Sequence, residues 1–563
     1  MATFRKTFLA AIIKSLLRGK SLVQAILAYW IRPVKLGTDG KPRVGTTSRR
    51  SIQEFLKEAE ALLLGPVDRD GLQQLSRDLR EQLLDRLQTD MQCMLPSYSH
   101  QLPRGTECGR FLALDVGGST LRVALVELRG RTADVGEESK IVNIQNYYIG
   151  PEIKALEGMA FFDWMAERIL ETLSAELEEH RSPDHPLPMS MAWSFPIEQT
   201  SLAGGKLQGM GKGFSANKGL IGQDLGQIVR TACQNHGLSV ELRAIVNDSS
   251  ACLLSESYNH ISTRFGLILG TGVNMAAYLP VSAIGRSKFG QRPPEWFEKA
   301  THVIINSEIS MMGRDILPLT RWDRQLLENH SRPEFQPLEH MVSGMYLGEI
   351  CRLALVEAIE STGVFGAVLP PSLQKPYSLS TETLSIIQRD TSDELDEACQ
   401  QFSLRHPSSH TPTASDMSFL KQLALFISTR SSALVATGVY TFWNLRIESQ
   451  NSFISTLPLD SPLRESAEAD RDLNETTVAY NGGVIESYPG YLASCQSYLN
   501  DLVAAEEKEK SGKKTIKLVS AKESSLMGAA VALASLERDE GGLLGVYTMT
   551  LALGDISFGR KHV

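Results

Sequence analysis

Between Ser51 and Gln92 apolar positions recur at helical intervals. Leu56, Ala59 and Leu63 form one stripe, and Leu72, Leu75, Leu79 and Leu83 another, with charges between them; this predicts two amphipathic helices. Gly65-Pro66 separates the stripes and breaks the helix. Pro96 to Gly109 is rich in Pro, Ser and Gly and reads as a linker. The period then changes. Arg110 to Val116 (RFLALDV) is a short apolar run ending in Gly117-Gly118-Ser119-Thr120, and the β-rich Leu121 to Val126 follows at once. That predicts strand, glycine turn, strand. The same arrangement returns at Phe265 to Leu269, Gly270-Thr271-Gly272 and Val273 to Tyr278. Two such hairpins, each opening a mixed α/β stretch, predict a duplicated architecture with a cleft between two domains. A dinucleotide-binding turn would lead into a helix, so that reading fails here.

The later chain is less regular. Leu373 to Ser415 is polar and broken, which predicts helices with a surface loop at His406 to Thr413. Glu448 to Glu475 is rich in Ser, Asp and Glu and reads as a disordered insertion. Val503 to Lys514 reads as a solvated helix end, and the apolar tail beyond Leu543 suggests no function. The predicted organisation is an arm (1–38), a helical lead-in (39–108), a small domain (109–245), a large domain (246–540) and the tail (541–563).

Composition narrows the function classes. At 563 residues the chain exceeds one hydrophobic core. A net charge of −8 argues against nucleic acid as a partner. Seven scattered cysteines without C-x-x-C spacing suit a reducing compartment and argue against structural zinc. Residues 1–36 carry seven Lys and Arg and no acid, with apolar pairs at near-helical spacing. This pattern suits a mitochondrial presequence or an interfacial membrane anchor, against the alternative of a flexible basic arm. The expected location is cytoplasmic, with mitochondrial association.

A glycine turn between strands offers converging backbone N–H groups to a phosphate, although such turns also close ordinary hairpins. Asp115, at the end of an apolar strand, is costly there unless it has a task such as holding a hydrated Mg²⁺. Val246-Asn247-Asp248 ends another strand with an acid able to take a hydroxyl proton, where a lone Asp would otherwise cap a helix. Ser194-Phe195-Pro196, Asn306-Ser307-Glu308 and Gln336 to Glu339 set further polar groups beside apolar runs.

Taken in order, these segments resemble the eukaryotic hexokinases of the actin-like sugar-kinase superfamily. Leu112 to Arg122 (LALDVGGSTLR), Phe195-Pro196, Lys212-Gly213-Phe214, Asn247-Asp248, Gly270 to Asn274, Asn306 to Glu308 and Glu339 to Glu349 (EHMVSGMYLGE) carry the resemblance. It covers about Ser51 to Glu537 and implies a duplicated actin-like ATPase (ribonuclease H-like) α/β fold. It further implies Asp248 as general base and Lys212 at the transferring phosphoryl group or the sugar. Ser194, Phe195, Pro196, Asn247, Asn274, Glu308 and Glu339 would bind the hexose. Asp115, Gly117, Gly118, Ser119, Arg122, Gly270, Thr271, Gly272 and Ser525 would serve ATP, with Asp115 also on Mg²⁺.

The chain departs from the family pattern at several points. Met210-Gly211 replaces Trp-Thr, removing a hydroxyl that reaches the sugar. Thr120 replaces Asn, Ile309-Ser310 replaces Trp-Gly, and Asn481-Gly482-Gly483 replaces Asp-Gly-Ser. Ser524-Ser525-Leu526 replaces Gly-Ser-Gly, where a leucine is expected to obstruct the nucleotide. Two functions follow as expectations. One is an ATP-dependent hexokinase making a hexose 6-phosphate for glycolysis. The other is a catalytically impaired, sugar-sensing regulator.

Overall fold

The computed structural model describes residues 50–133, 136–173, 186–211, 213–507 and 514–539. The basic arm, the apolar tail and Lys212 therefore lie outside the described residues. The lead-in forms α1 (Ile52–Leu64) and α2 (Arg69–Thr89), parted by a 3₁₀ turn at Gly65–Val67. Ser51 and Glu54 make a reciprocal capping box on α1, and Asp68 caps α2. The predicted leucine stripes face inward, and both helices join the core beneath the second sheet.

The first sheet holds β1 (Gly109–Val116), β2 (Thr120–Leu128), β3 (Ser139–Tyr148), β4 (Leu187–Trp193) and β5 (Val240–Val246). Its spatial order is β3-β2-β1-β4-β5, with β1 to β3 antiparallel and β4 and β5 parallel to β1. The second sheet holds β6 (Thr263–Leu269), β7 (Val273–Pro280), β8 (His302–Asn306), β9 (Glu475–Asn481) and β10 (Thr515–Ser520). Its order is β8-β7-β6-β9-β10, with the same pattern of directions. The duplication expected from the two glycine hairpins is thus present strand by strand. Leu95-Pro96 pairs with the outer edge of β8, so the start of the predicted linker belongs to the sheet.

After β5 the chain enters α3 (Asp248–Asn259). Between β8 and β9 it adds α4 (Pro337–Val342), α5 (Gly344–Thr362) and the central α6 (Ala414–Ser455). By length and hydropathy α6 could cross a membrane, but 89% of its apolar window is buried inside this fold. The stretch 448–475 is not a disordered insertion. It finishes α6 and builds α7 (Pro462–Arg471). Many of its polar residues face outward, while Ala467 packs with Phe453 and Ile454, Gln450 is buried against His302, and Asp470 pairs with Arg264 and Arg446.

The last described helix, α8 (Ser524–Asp539), returns to lie against the first sheet and α3. A core of small residues fills this junction, including Ala113, Ala244, Ala251, Ala276, Ala529 and Ala530. The approach is so close that a Cβ on Gly528 would lie 1.9 Å from the Ala251 carbonyl oxygen. α3 and α8 therefore wedge between the two sheets, and the residues at their N-termini open where both sheets end.

Candidate active site

Both glycine turns are tight and backbone-closed. Gly117 N–H donates to the Thr120 carbonyl at 3.0 Å, and Gly270 N–H donates to that of Gly272 at 3.0 Å. Ser119 and Thr271, at the tips, are exposed. The second turn is packed from behind. Gly344 N–H donates to the Gly270 carbonyl at 2.8 Å, and a Cβ on Gly482 (φ 126°) would meet the Leu269 carbonyl oxygen at 2.4 Å. Asn481 anchors the same corner by donating to the Ala521 carbonyl at 3.0 Å. The backbone requirement thus falls on Gly482, which the family pattern shares, while the departures stand on either side of it at Asn481 and Gly483.

Polar side chains from both halves meet beside these turns. Asn247 is the N-cap of α3: its Oδ1 accepts from Ser249 N–H at 3.0 Å and Ser249 Oγ–H at 2.8 Å. Asp248 is therefore not the cap. It occupies the first turn, half-buried, where the positive end of the helix favours its carboxylate. Asn274 Nδ2 reaches Asn247 Oδ1 at 3.4 Å and Asn306 Oδ1 at 2.9 Å, which links α3 to β7 and β8. Asn306 in turn donates to Glu308 Oε1 at 2.8 Å. Glu308 has a left-handed backbone (φ 48°), a strained conformation for a residue with a side chain. Burial pushes its carboxyl up to about 7, and the charges of Asp248 and Glu339 add to that rise. Glu339 closes the ring from α4: its Oε2 accepts from Val273 N–H at 2.9 Å. A Cβ on Gly272 would stand 2.6 Å from the same oxygen, so this glycine makes room for the acid.

Asn306 is the residue missed as a site member, although its motif had been noted. Its strand register, facing Ala276, is what brings it between Asn274 and Glu308. Ser194 follows β4, and its N–H donates to the Val116 carbonyl at 3.3 Å, beside the first turn. Phe195 is buried against Trp193 and Phe214, with both ring centroids 5.0 Å away, while Pro196 is exposed. Phe195 therefore sets the wall behind Ser194.

Beside the first glycine turn, Asp115 and Arg122 face each other across β1 and β2. Arg122 binds Asp115 Oδ2 through Nε at 2.8 Å and through a guanidinium amine. Its remaining arm reaches Glu523 Oε2 at 2.6 Å. Burial raises the Asp115 carboxyl, and Arg122 offsets only part of that rise. Glu523 precedes α8 with φ 50° and was not foreseen. Ser525 sits half-buried in the first turn of α8. Leu526 does not obstruct a nucleotide. It has 0% exposure and belongs to the alanine-rich core at the α3–α8 junction, because helical geometry turns it inward.

Two sequence models described as hexokinase match this chain, over residues 59–258 and 264–535. Hexokinase-1 of Nicotiana tabacum is 30% identical over 417 residues, which is 73% of this chain and 78% of that protein. The chain belongs to the hexokinase family. Hexokinase-1 of Arabidopsis thaliana is also 30% identical, over 78% of this chain and 82% of its own length. Among solved structures, a hexokinase from Schistosoma mansoni complexed with glucose superposes with a TM-score of 0.66 at 25% identity. That match covers 86% of this chain and 100% of the other.

Against the hexokinase pattern, three departures sit in defined local settings. Met210 is buried in the first-sheet core where the family has Trp. Gly211 has φ 63° with nothing within 4 Å of its would-be Cβ, so the turn closing at Phe214 uses glycine conformation. Ser310 is buried and accepts from Gln336 at 3.3 Å, tying the Glu308 segment to the start of α4.

Proposed function

We propose that this member of the hexokinase family is an ATP-dependent hexose kinase, transferring the terminal phosphoryl group to the 6-hydroxyl of glucose or a related hexose at the entry to glycolysis. The observation that carries it is the convergence of Asn247, Asp248, Asn274, Asn306, Glu308 and Glu339 beside two phosphate-sized glycine turns. A hexose presents several hydroxyls in a fixed ring, and this ring of amides and carboxylates offers donors and acceptors to match. Asp248 takes the 6-hydroxyl proton as that oxygen bonds to the γ-phosphorus and the bond to ADP breaks. Ser194, Asn274, Glu308 and Glu339 orient the sugar, and closure of the halves excludes competing water. Lys212 assists at the phosphoryl group. Gly118 and Thr271 supply backbone and hydroxyl donors to the phosphates, and Gly117, whose N–H closes the first turn on Thr120, shapes it.

The donor set also fits Mg²⁺. Both Arg122 bonds fall on Asp115 Oδ2, which leaves Oδ1 for a hydrated ion that needs only one or two carboxylates. Such an ion neutralises charge on the phosphates. The test is glucose 6-phosphate formation with Mg-ATP by the whole chain and by Asp248→Ala, with a loss of about 10²- to 10⁴-fold expected. Equal rates in the two proteins would sink the kinase reading.

One observation favours a second reading. Arg122 is held between Asp115 and Glu523, away from incoming phosphate. Under that reading the protein binds hexose and signals without rapid turnover, and calorimetry would show binding with no product. For the acid-free arm, association with a mitochondrial membrane surface is the proposal. Removing residues 1–36 should release the protein from a membrane fraction, and an unchanged distribution would overturn it.

A further inference from the structure

The chain that joins Glu308 to Glu339 lines a half-open cavity of about 440 Å³, and every residue lining it falls between Gly313 and Met341. This volume suits a small ligand. Leu319, Leu326, Leu327 and Met341 give it apolar walls. Its charges sort themselves by partner. Asp323 is taken by Arg430 at 2.7 and 2.8 Å, and Arg314 by Glu334 at 3.2 Å. Asp315 and Arg324 also line the cavity and form no ion pair among the described residues. One exposed anion and one exposed cation thus stand without an ion pair at the rim of an apolar cavity. His340 adds a third polar group. It is only 4% exposed, packs its ring on His330 and Tyr346, and leaves Nδ1 without a hydrogen bond. Burial and the neighbouring His330 push it down to about 4, so the ring is neutral at physiological pH and one nitrogen is an acceptor.

We infer that this cavity is a second, regulatory site for a small zwitterion with an apolar body, the chemical class of an aliphatic or aromatic α-amino acid. The carboxylate pairs with Arg324, the ammonium group with Asp315, and the side chain lies among the leucines. The route to the hexose site is short. His340 follows Glu339 on α4, and Glu339 holds Val273 N–H at the second glycine turn. A ligand that shifts α4 shifts a hexose acid. This coupling rests on the proposed hexose site, whereas binding in the cavity does not.

The experiment titrates the whole chain by calorimetry, without sugar or nucleotide, with L-leucine and L-phenylalanine. Isovalerate and isopentylamine, each lacking one charge, serve as controls. Saturable binding of the amino acids is expected, with the controls about tenfold weaker or worse. Arg324→Ala, at an exposed position, should weaken leucine about tenfold and leave hexose affinity without leucine unchanged. Leu327→Trp should fill the cavity and abolish binding. No saturable binding of either amino acid up to about 10 mM, equal binding of isovalerate, or wild-type affinity in both variants would overturn the site. With leucine bound, a changed hexose affinity supports the regulatory role, and an unchanged one overturns it.

Discussion

Glu308 carries the most distinctive electrostatics of the site. Its carboxyl, hydrogen-bonded by Asn306 and facing the charges of Asp248 and Glu339, is pushed up to about 7. A folded-state value above the unfolded one means that the proton is held more tightly in the native protein. Its contribution to stability is full below about pH 4.5 and is lost as the pH rises through about 7. The sugar-free protein should therefore lose thermal stability across that window, and Glu308→Gln should flatten the loss. A hexose hydroxyl donating to Glu308 favours the ionised form, so binding near neutral pH should release part of a proton. Titration calorimetry in two buffers of different ionisation enthalpy reads that release directly; proton uptake would contradict the assignment. Leu526 gives a second residue-scale test. Fully buried in a helix, it should cost about 3–5 kcal/mol on Leu526→Gly, from the lost side chain and the added helix entropy. Nucleotide affinity should not improve, and a gain measured by equilibrium binding would show that the leucine does reach the site.

Arg122, Asp115 and Glu523 join three elements, β1, β2 and the start of α8, into one ion-paired latch. Glu523 holds its side of the latch with φ 50°, a conformation that glycine adopts without strain. Glu523→Gly should therefore leave stability unchanged or raise it by about 1 kcal/mol. It should also free one arm of Arg122 and tighten nucleotide binding several-fold, which equilibrium binding of an ATP analogue with Mg²⁺ would read. Unchanged affinity would show that the latch does not compete with phosphates. Within the helical half, Arg430 is fully buried against Asp323, so Asp323→Ala leaves an unpaired cation and should cost about 3–5 kcal/mol in denaturant unfolding. These elements differ in how far the sequence disclosed them. The two hairpins and the lead-in helices were legible because their signals are local: a change of period, paired glycines, a helix break. α7 was not, because its ordering depends on one inward alanine and on Asp470 meeting Arg264 and Arg446, distant in sequence. Glu523 and Asn306 escaped notice for related reasons. A positive φ and a strand register are properties of the folded backbone.

At the scale of the whole molecule, the two sheets repeat one topology, and the residues proposed to bind hexose are divided between them. Asn247 and Asp248 leave the end of β5, whereas Asn274, Asn306 and Glu308 belong to β7, β8 and the turn beyond. One contact between the sets is the long Asn274–Asn247 bond of 3.4 Å, which is weak at that length. Much of the junction beneath is alanine, interleaved with Leu253, Leu254, Tyr258 and Leu526. A ligand that hydrogen-bonds both sets at once therefore has energy available to draw the halves together. Glucose should lower the radius of gyration in small-angle X-ray scattering, and should do so without nucleotide. Asn274→Ala, which removes the bridge to both Asn247 and Asn306, should weaken glucose binding by about fivefold to tenfold for each hydrogen bond lost. At saturating glucose the variant should still contract, because Glu308, Glu339 and Asp248 remain. Contraction abolished by Asn274→Ala at full occupancy would instead place the closing force in that asparagine alone. No contraction in the wild-type protein with glucose bound would mean that the halves are already closed, and that water exclusion does not depend on the sugar.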